Sequence, residues 1–163
     1  MPNKKEFYTI VDQYRLHSKV LEMKNYIHHG INRYDHCFRV AYHTYNVTKL
    51  LHLNYESATK AAMLHDFWTD ELIHEKSGMK RFRNHPSIAV ENAKKYFTLT
   101  ELEEDIIKKH MFPITLCPPK YLESWIVDCI DDIASVYERC YASLRDAKSY
   151  ANLLVVALIS IIR

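Results

Sequence analysis

Two glycines and five prolines in 163 residues are too few for a turn-rich β-fold or a low-complexity chain. A surplus of one charge is missing as well. Lys and Arg total 22 against 20 Asp and Glu, and the net +2 gives no signature of nucleic-acid binding. The four cysteines, Cys37, Cys117, Cys129 and Cys140, include no CxxC pair and are expected as buried thiols of a reducing compartment. The opening residues, Met1 to Glu6, lack the apolar stretch of a signal peptide. The apolar run Leu153 to Ile162 is only about half of the ~20 residues that span a bilayer. A cytoplasmic protein without a membrane segment is therefore expected. What the chain does have is a 48% hydrophobic fraction and ten histidines.

The apolar residues recur at helical spacing. Phe7, Ile10, Val11, Tyr14, Val20 and Leu21 form a first stripe, which His28-His29-Gly30 is expected to close with a glycine cap. Arg33 to Leu53 carries a second helix with His36, Val40, His43 and Val47 in one stripe. Asn54 is an N-cap for a third, ending at His65-Asp66. Phe67 to Asn84 is polar and irregular, and Pro86 suits the first turn of a helix over Ser87–Phe97. Thr100 with Glu103 makes a capping box for a helix to about His110, and a long helix follows Lys120. Ser143 with Asp146 marks the start of a last helix. The expectation is an all-α, single-domain bundle of about seven helices over residues 1–163, with a motif-bearing core over about 33–132 and a C-terminal packing helix over about 143–162. The tail from Ala151 is apolar nearly all round, which predicts burial, either against the first helix or in a homodimer contact.

Within this pattern the dipeptide His65-Asp66 is the most informative feature. It ends the run Ala58-Thr-Lys-Ala-Ala-Met-Leu64, a helix buried enough that an unpaired imidazole or carboxylate there costs several kcal/mol, by the usual scale of about 2–7. A divalent metal would satisfy both groups, since imidazole and carboxylate suit hard and borderline ions. Further candidate ligands are His36, His85, His110 and an aspartate in Val127-Asp128-Cys129-Ile130-Asp131-Asp132. Each lies on a separate helix or helix end, as ligands of a bundle-core metal site do.

This ordered set resembles the HD-domain superfamily of metal-dependent phosphohydrolases, in the branch with His, His-Asp, His, His and Asp ligands. Arg33-Tyr-Asp-His36-Cys-Phe-Arg-Val looks like the first-histidine motif, Ala62-Met-Leu-His65-Asp66 the doublet, and Ile130-Asp131-Asp132-Ile133 the final one. That likeness favours Asp131 over Asp128. Asn84-His85-Pro86 and Lys109-His110-Met111 resemble the intervening histidines of members that bind two metals. The resemblance implies one metal on His36, His65, Asp66 and Asp131, and a second on His85 and His110 with Asp66 as a bridge. It also implies His65 and Asp66 as the catalytic doublet, and a metal-activated water attacking a phosphoester as a phosphatase or phosphodiesterase. The donor set suits iron or manganese, with zinc an alternative. Mononuclear nucleotidases and non-catalytic regulatory modules of the superfamily are the competing readings.

A small phosphorylated substrate, a nucleotide above all, needs cationic partners. Arg33, one turn before His36, is a candidate phosphate fork, as are Arg81 and Arg83 beside Lys80 and just before His85. Several phosphohydrolases of the superfamily carry a lysine soon after the doublet. Here Phe67-Trp68-Thr69-Asp70-Glu71 follows, without a base. Phe67 and Trp68 are expected as core aromatics rather than as a stacking platform for a base.

Overall fold

The computed structural model describes residues 3–28, 30–69 and 79–162, with side chains for all of these except 28, 79, 81, 82 and 149–162. Among the described residues the chain is all-α: α1 (Lys4–Arg15), α2 (Ser18–Leu21), α3 (Arg33–Leu50), α4 (Tyr55–Leu64), α5 (Met79–Lys94), α6 (Glu101–Lys109) and α7 (Leu122–Ile162). A 3-10 turn over Glu22–Asn25 leads into a hairpin of two short strands, β1 (Ile27–His28) and β2 (Ile31–Asn32), paired antiparallel. No helix among the described residues is long and apolar enough to cross a membrane.

Local chemistry accounts for most helix starts. Asn3, Asn32 and Asn54 each accept a hydrogen bond from a backbone N–H three residues on, so α1, α3 and α4 begin with a filled N-cap. The Thr100–Glu103 capping box forms at α6, with Thr100 N–H donating to Glu103 Oε2 at 2.8 Å. Asp105 on α6 accepts from Lys120 N–H at 2.9 Å and Ser124 Oγ at 2.7 Å, pinning the entrance of α7.

Four expectations change. Ile27–His28 and Ile31–Asn32 are paired strands, so Gly30 belongs to a hairpin instead of capping a helix. Gly30 sits in the hairpin with φ +88, where a Cβ would lie 2.5 Å from the Ala142 Cβ on α7, so both conformation and space demand glycine. Second, α5 begins at Met79 and takes Pro86 inside the helix. The residues before Pro86 include the good helix formers Met79, Lys80, Arg81 and Arg83, and the helix runs through a proline that ordinarily costs about 3 kcal/mol in a helix interior. Third, α7 continues past Ser143 to Ile162 as one 41-residue helix, because the Ser143 hydroxyl bonds back to the Arg139 carbonyl at 2.9 Å instead of capping a new start. Fourth, only Cys37 is a buried thiol; Cys117, Cys129 and Cys140 are exposed, two of them on the outer side of α7. The side chains of the apolar tail from Ala151 lie outside the described residues.

The core gathers around α4, whose Ala58, Ala61, Ala62, Met63 and Leu64 are fully buried. Three alanines on a ten-residue helix let α1, α3, α6 and α7 approach closely. Phe67 and Trp68 continue the buried run, as expected of core aromatics. Glu6 ties α1 to this centre: its carboxylate accepts from Tyr45 Oη at 2.8 Å, Tyr55 Oη at 2.9 Å and the Lys49 ammonium. This frame brings the C-terminal ends of α4 and α6 together with the first turn of α3 and the first half of α7.

Candidate metal centre

His65 and His110 stand at equivalent places, each as the C-cap of its helix. The last carbonyls of a helix lack intrahelical donors. His65 Nδ1–H donates to Ala62 O at 2.8 Å and His110 Nδ1–H to Ile107 O at 2.7 Å. A carbonyl only accepts, so each Nδ1 carries a proton and each ring turns its Nε2 inward. His65 Nε2 is buried without a hydrogen-bond partner, with Asp131 Oδ1 at 3.5 Å. Burial would lower the His65 pKa, but the neighbouring Cys37 and Asp131 hold it well above the usual imidazole range. A cation arriving here therefore displaces a proton.

His36 enters from α3 between two carboxylates of α7. Its Nε2 lies 2.8 Å from Asp131 Oδ1 and its Nδ1 2.9 Å from Glu138 Oε2. Burial alone would lower its pKa, but hydrogen bonds to Asp131 and Glu138 override this and carry it up to about 10. Burial pushes Asp131 the other way, upward, and the neighbouring His65 and His36 hold it well below the usual carboxylate range. Glu138 is itself fixed by Arg39, whose Nη1–H donates to Oε1 at 2.8 Å.

On the other side, His85 Nε2 is 3.0 Å from His110 Nε2 and 3.2 Å from Asp66 Oδ1. Burial, then repulsion from His65 and His85, lowers the His110 pKa to about 3, so this ring is neutral at physiological pH. His110 Nε2 is then an acceptor, and His85 Nε2–H is the donor. Asp66 also accepts from the Trp68 indole N–H at 3.0 Å. Trp68 is in turn held by Arg33, whose Nη1–H donates to the Trp68 carbonyl at 2.7 Å and whose guanidinium lies 3.5 Å from the indole centroid.

Two groups of ligand atoms result, each within 4.8 Å of one another: His36, His65 and Asp131, and His65, Asp66 and His110. His65 belongs to both, and none of the six candidate residues is more than 7% exposed. The donor set fits a divalent cation. An orphaned imidazole nitrogen faces a carboxylate, and protons between His36 and Asp131 and between His85 and His110 occupy positions that a cation can take over. The carboxylate–histidine pairing of Glu138 with His36 is the outer-shell arrangement that orients a metal-ligating ring.

The structure thus brings together His36, His65, Asp66, His85, His110 and Asp131. Asp128, one turn earlier on α7, joins neither group, and its Oδ1 is buried without a partner. Burial and repulsion from Asp132 raise its pKa to about 7. Arg33 is 1% exposed, and through its bond to the Trp68 carbonyl it braces the indole. Arg83 is exposed and lines a cleft with Lys80, Asn84 and Thr115. The Arg81 side chain lies outside the described residues. Two contributors went unread in the sequence, Glu138 and Arg39. A signal for Glu138 exists there, because seven residues after Asp131 is two helical turns on the same face.

A family model described as HD domain matches residues 33–135. No curated protein and no solved structure matches the chain.

Proposed function

The chain belongs to the HD-domain family, and from that premise we propose that it is a metal-dependent phosphohydrolase acting on a nucleotide or another small phosphoester at a dinuclear site. The observation that carries this reading is the pair of C-cap histidines, His65 and His110, whose Nδ1 protons are spent on helix carbonyls while their Nε2 atoms converge with those of His36 and His85 beside two carboxylates. His36, His65 and Asp131 would hold one ion; His85, His110 and Asp66 would hold the other, with His65 and Asp66 between them. Iron or manganese suits the four imidazoles and two carboxylates, with zinc an alternative. When bound, such ions polarise a phosphoryl oxygen and lower the pKa of an attacking water toward neutrality.

The protein's own contribution is orientation and charge. Glu138 keeps the His36 proton on Nδ1, and the α4 and α6 carbonyls do the same for His65 and His110. The Trp68 indole N–H holds one oxygen of Asp66. Among the described side chains, Lys80 and Arg83, in the cleft at the start of α5, are cations available to a substrate phosphate. The absence of a base after the doublet and the commitment of Arg33 to Trp68 favour one rival, a metal-binding regulatory module.

Metal content and phosphate release measured on the same preparations test the proposal. After anaerobic reconstitution, about two transition-metal ions per chain and turnover of nucleotides or aryl phosphates are expected. Asp66→Asn should lose metal and activity together. One ion at most would remove the dinuclear site, and fully metallated protein inert toward all these substrates would establish the regulatory reading instead.

A further inference from the structure

We propose that α7 is a dimerisation helix, which pairs along its solvent-facing side with α7 of a second copy of this chain. A face of α7 that turns away from the metal centre is apolar and open. Ile133 is 70% exposed, Val136 61%, Tyr137 59% and Leu144 71%, and Cys140 is exposed between them. On the other side of the same turns Val127, Asp131, Ala134 and Glu138 are buried against α3, α4 and α6. One helix therefore serves the site with one face and leaves a hydrophobic stripe on the other.

The spacing of that stripe identifies its occupant. Taking Ile130 as position a of a heptad, the a and d positions read Ile130, Ile133, Tyr137, Cys140, Leu144 and Ala147. The sequence holds the register through Ala151, Leu154, Leu158 and Ile161, with no charged residue at any a or d. Asp132, Arg139, Arg145 and Asp146 lie at the outer b and c positions and Lys148 at e, while Asp131 and Glu138 at b turn inward to His36. From Ile130 to Ala147 apolar residues hold a and d while the charges stay off them, the pattern that seats a second helix of the same period; beyond Ala151 nearly every position is apolar and continues the stripe. Among the described residues no other helix carries such a repeat, whereas another copy presents an identical one. A two-fold pairing makes the stripe self-complementary.

From Ile130 to Ile161 the α7 backbone runs about 48 Å at ~1.5 Å per residue, long enough for two copies to pair over more than four heptads. Between α3 and α7 a groove lined by Arg39, His43, Val47, Ile130, Ile133 and Tyr137, with Arg39 paired to Glu138, is open to receive the partner's side chains.

Sedimentation equilibrium on the full chain over about 1–100 µM tests this, the range in which ~6–8 kcal/mol of association energy shows. Wild type should be a dimer whose dissociation constant hardly changes between low and high salt, because the seam is apolar. Ile133→Glu with Leu144→Glu places like charges along the seam and should raise the dissociation constant by at least about a hundredfold. Both positions are exposed, so helicity and metal content should stay at wild-type levels. The milder pair Ile133→Ser with Leu144→Ser should weaken pairing by about tenfold or more at unchanged melting temperature. A wild-type monomer at about 100 µM, or a dimer that survives the glutamates, overturns the proposal. A strongly salt-dependent dimer also overturns it, since that points to a charged contact elsewhere.

Discussion

Glu138→Gln isolates a charge that no metal ligand supplies. In the wild type this buried carboxylate receives the His36 Nδ1–H at 2.9 Å and Arg39 Nη1–H at 2.8 Å. The amide keeps the shape and one acceptor oxygen but removes the negative charge from a site that excludes water. Hydrogen bonds to charged groups are worth about 1.5–3 kcal/mol. At ~1.4 kcal/mol per decade this is about ten- to a hundredfold in metal affinity, the range seen when outer-shell partners are changed. Glu138→Ala, which leaves both donors without an acceptor, should fall at the upper end. The metal-free protein gives a second, independent reading. The folded-state pKa of His36 is about 10 against an ordinary 6.5. Its protonated form therefore contributes stability in full below about pH 6.5 and loses it as pH climbs through about 10. Without Glu138 one of its two carboxylate partners is gone, so metal-free Glu138→Gln should melt lower than wild type at pH 7 and approach it near pH 10. The assays are chelator competition for the metal and thermal melts across that range. Metal affinity within twofold of wild type, together with parallel melting curves at every pH, would refute the role given to Glu138.

Asp131→Ala should lose the ion held with His36 while Asp128→Ala retains it, checked by elemental analysis; the reverse outcome would move the ligand one turn along α7. Gly30→Ala forces an L side chain into positive φ and against Ala142, which together should cost about 2–4 kcal/mol and show as a drop in melting temperature.

Sequence reached the helices furthest where local chemistry decides them. The caps at Asn54 and Thr100 and the long helix after Lys120 are all read from neighbouring residues. The metal-centre residues were legible for a related reason: an imidazole or carboxylate at the buried end of an apolar helix demands a partner, and one cation satisfies several of them. What escaped depends on partners distant in the chain. The fate of Arg33 is set by Trp68, 35 residues away, whose carbonyl and ring offer a buried cation more than an open site would. Glu138 looks like one more charge on a mixed surface until His36, 102 residues earlier, is placed beside it. The start of α5 was misplaced because proline's preference for a first turn is weaker than the helix-forming residues that precede it.

The distance in sequence between His36 and its two carboxylates also dictates an order of events. Asp131 and Glu138 lie 95 and 102 residues beyond His36, so no local segment can assemble this half of the centre. Closing a loop of that length is entropically expensive and must be completed before the contacts it enables return any stability. During synthesis α3, α4 and α6 can collapse on one another, yet this half of the centre holds only imidazoles until the first half of α7 has left the ribosome. Capture of an ion by His36, His65 and Asp131 is therefore a late event. It occurs only in molecules in which α7 has docked, and by mass action it draws the remainder after them.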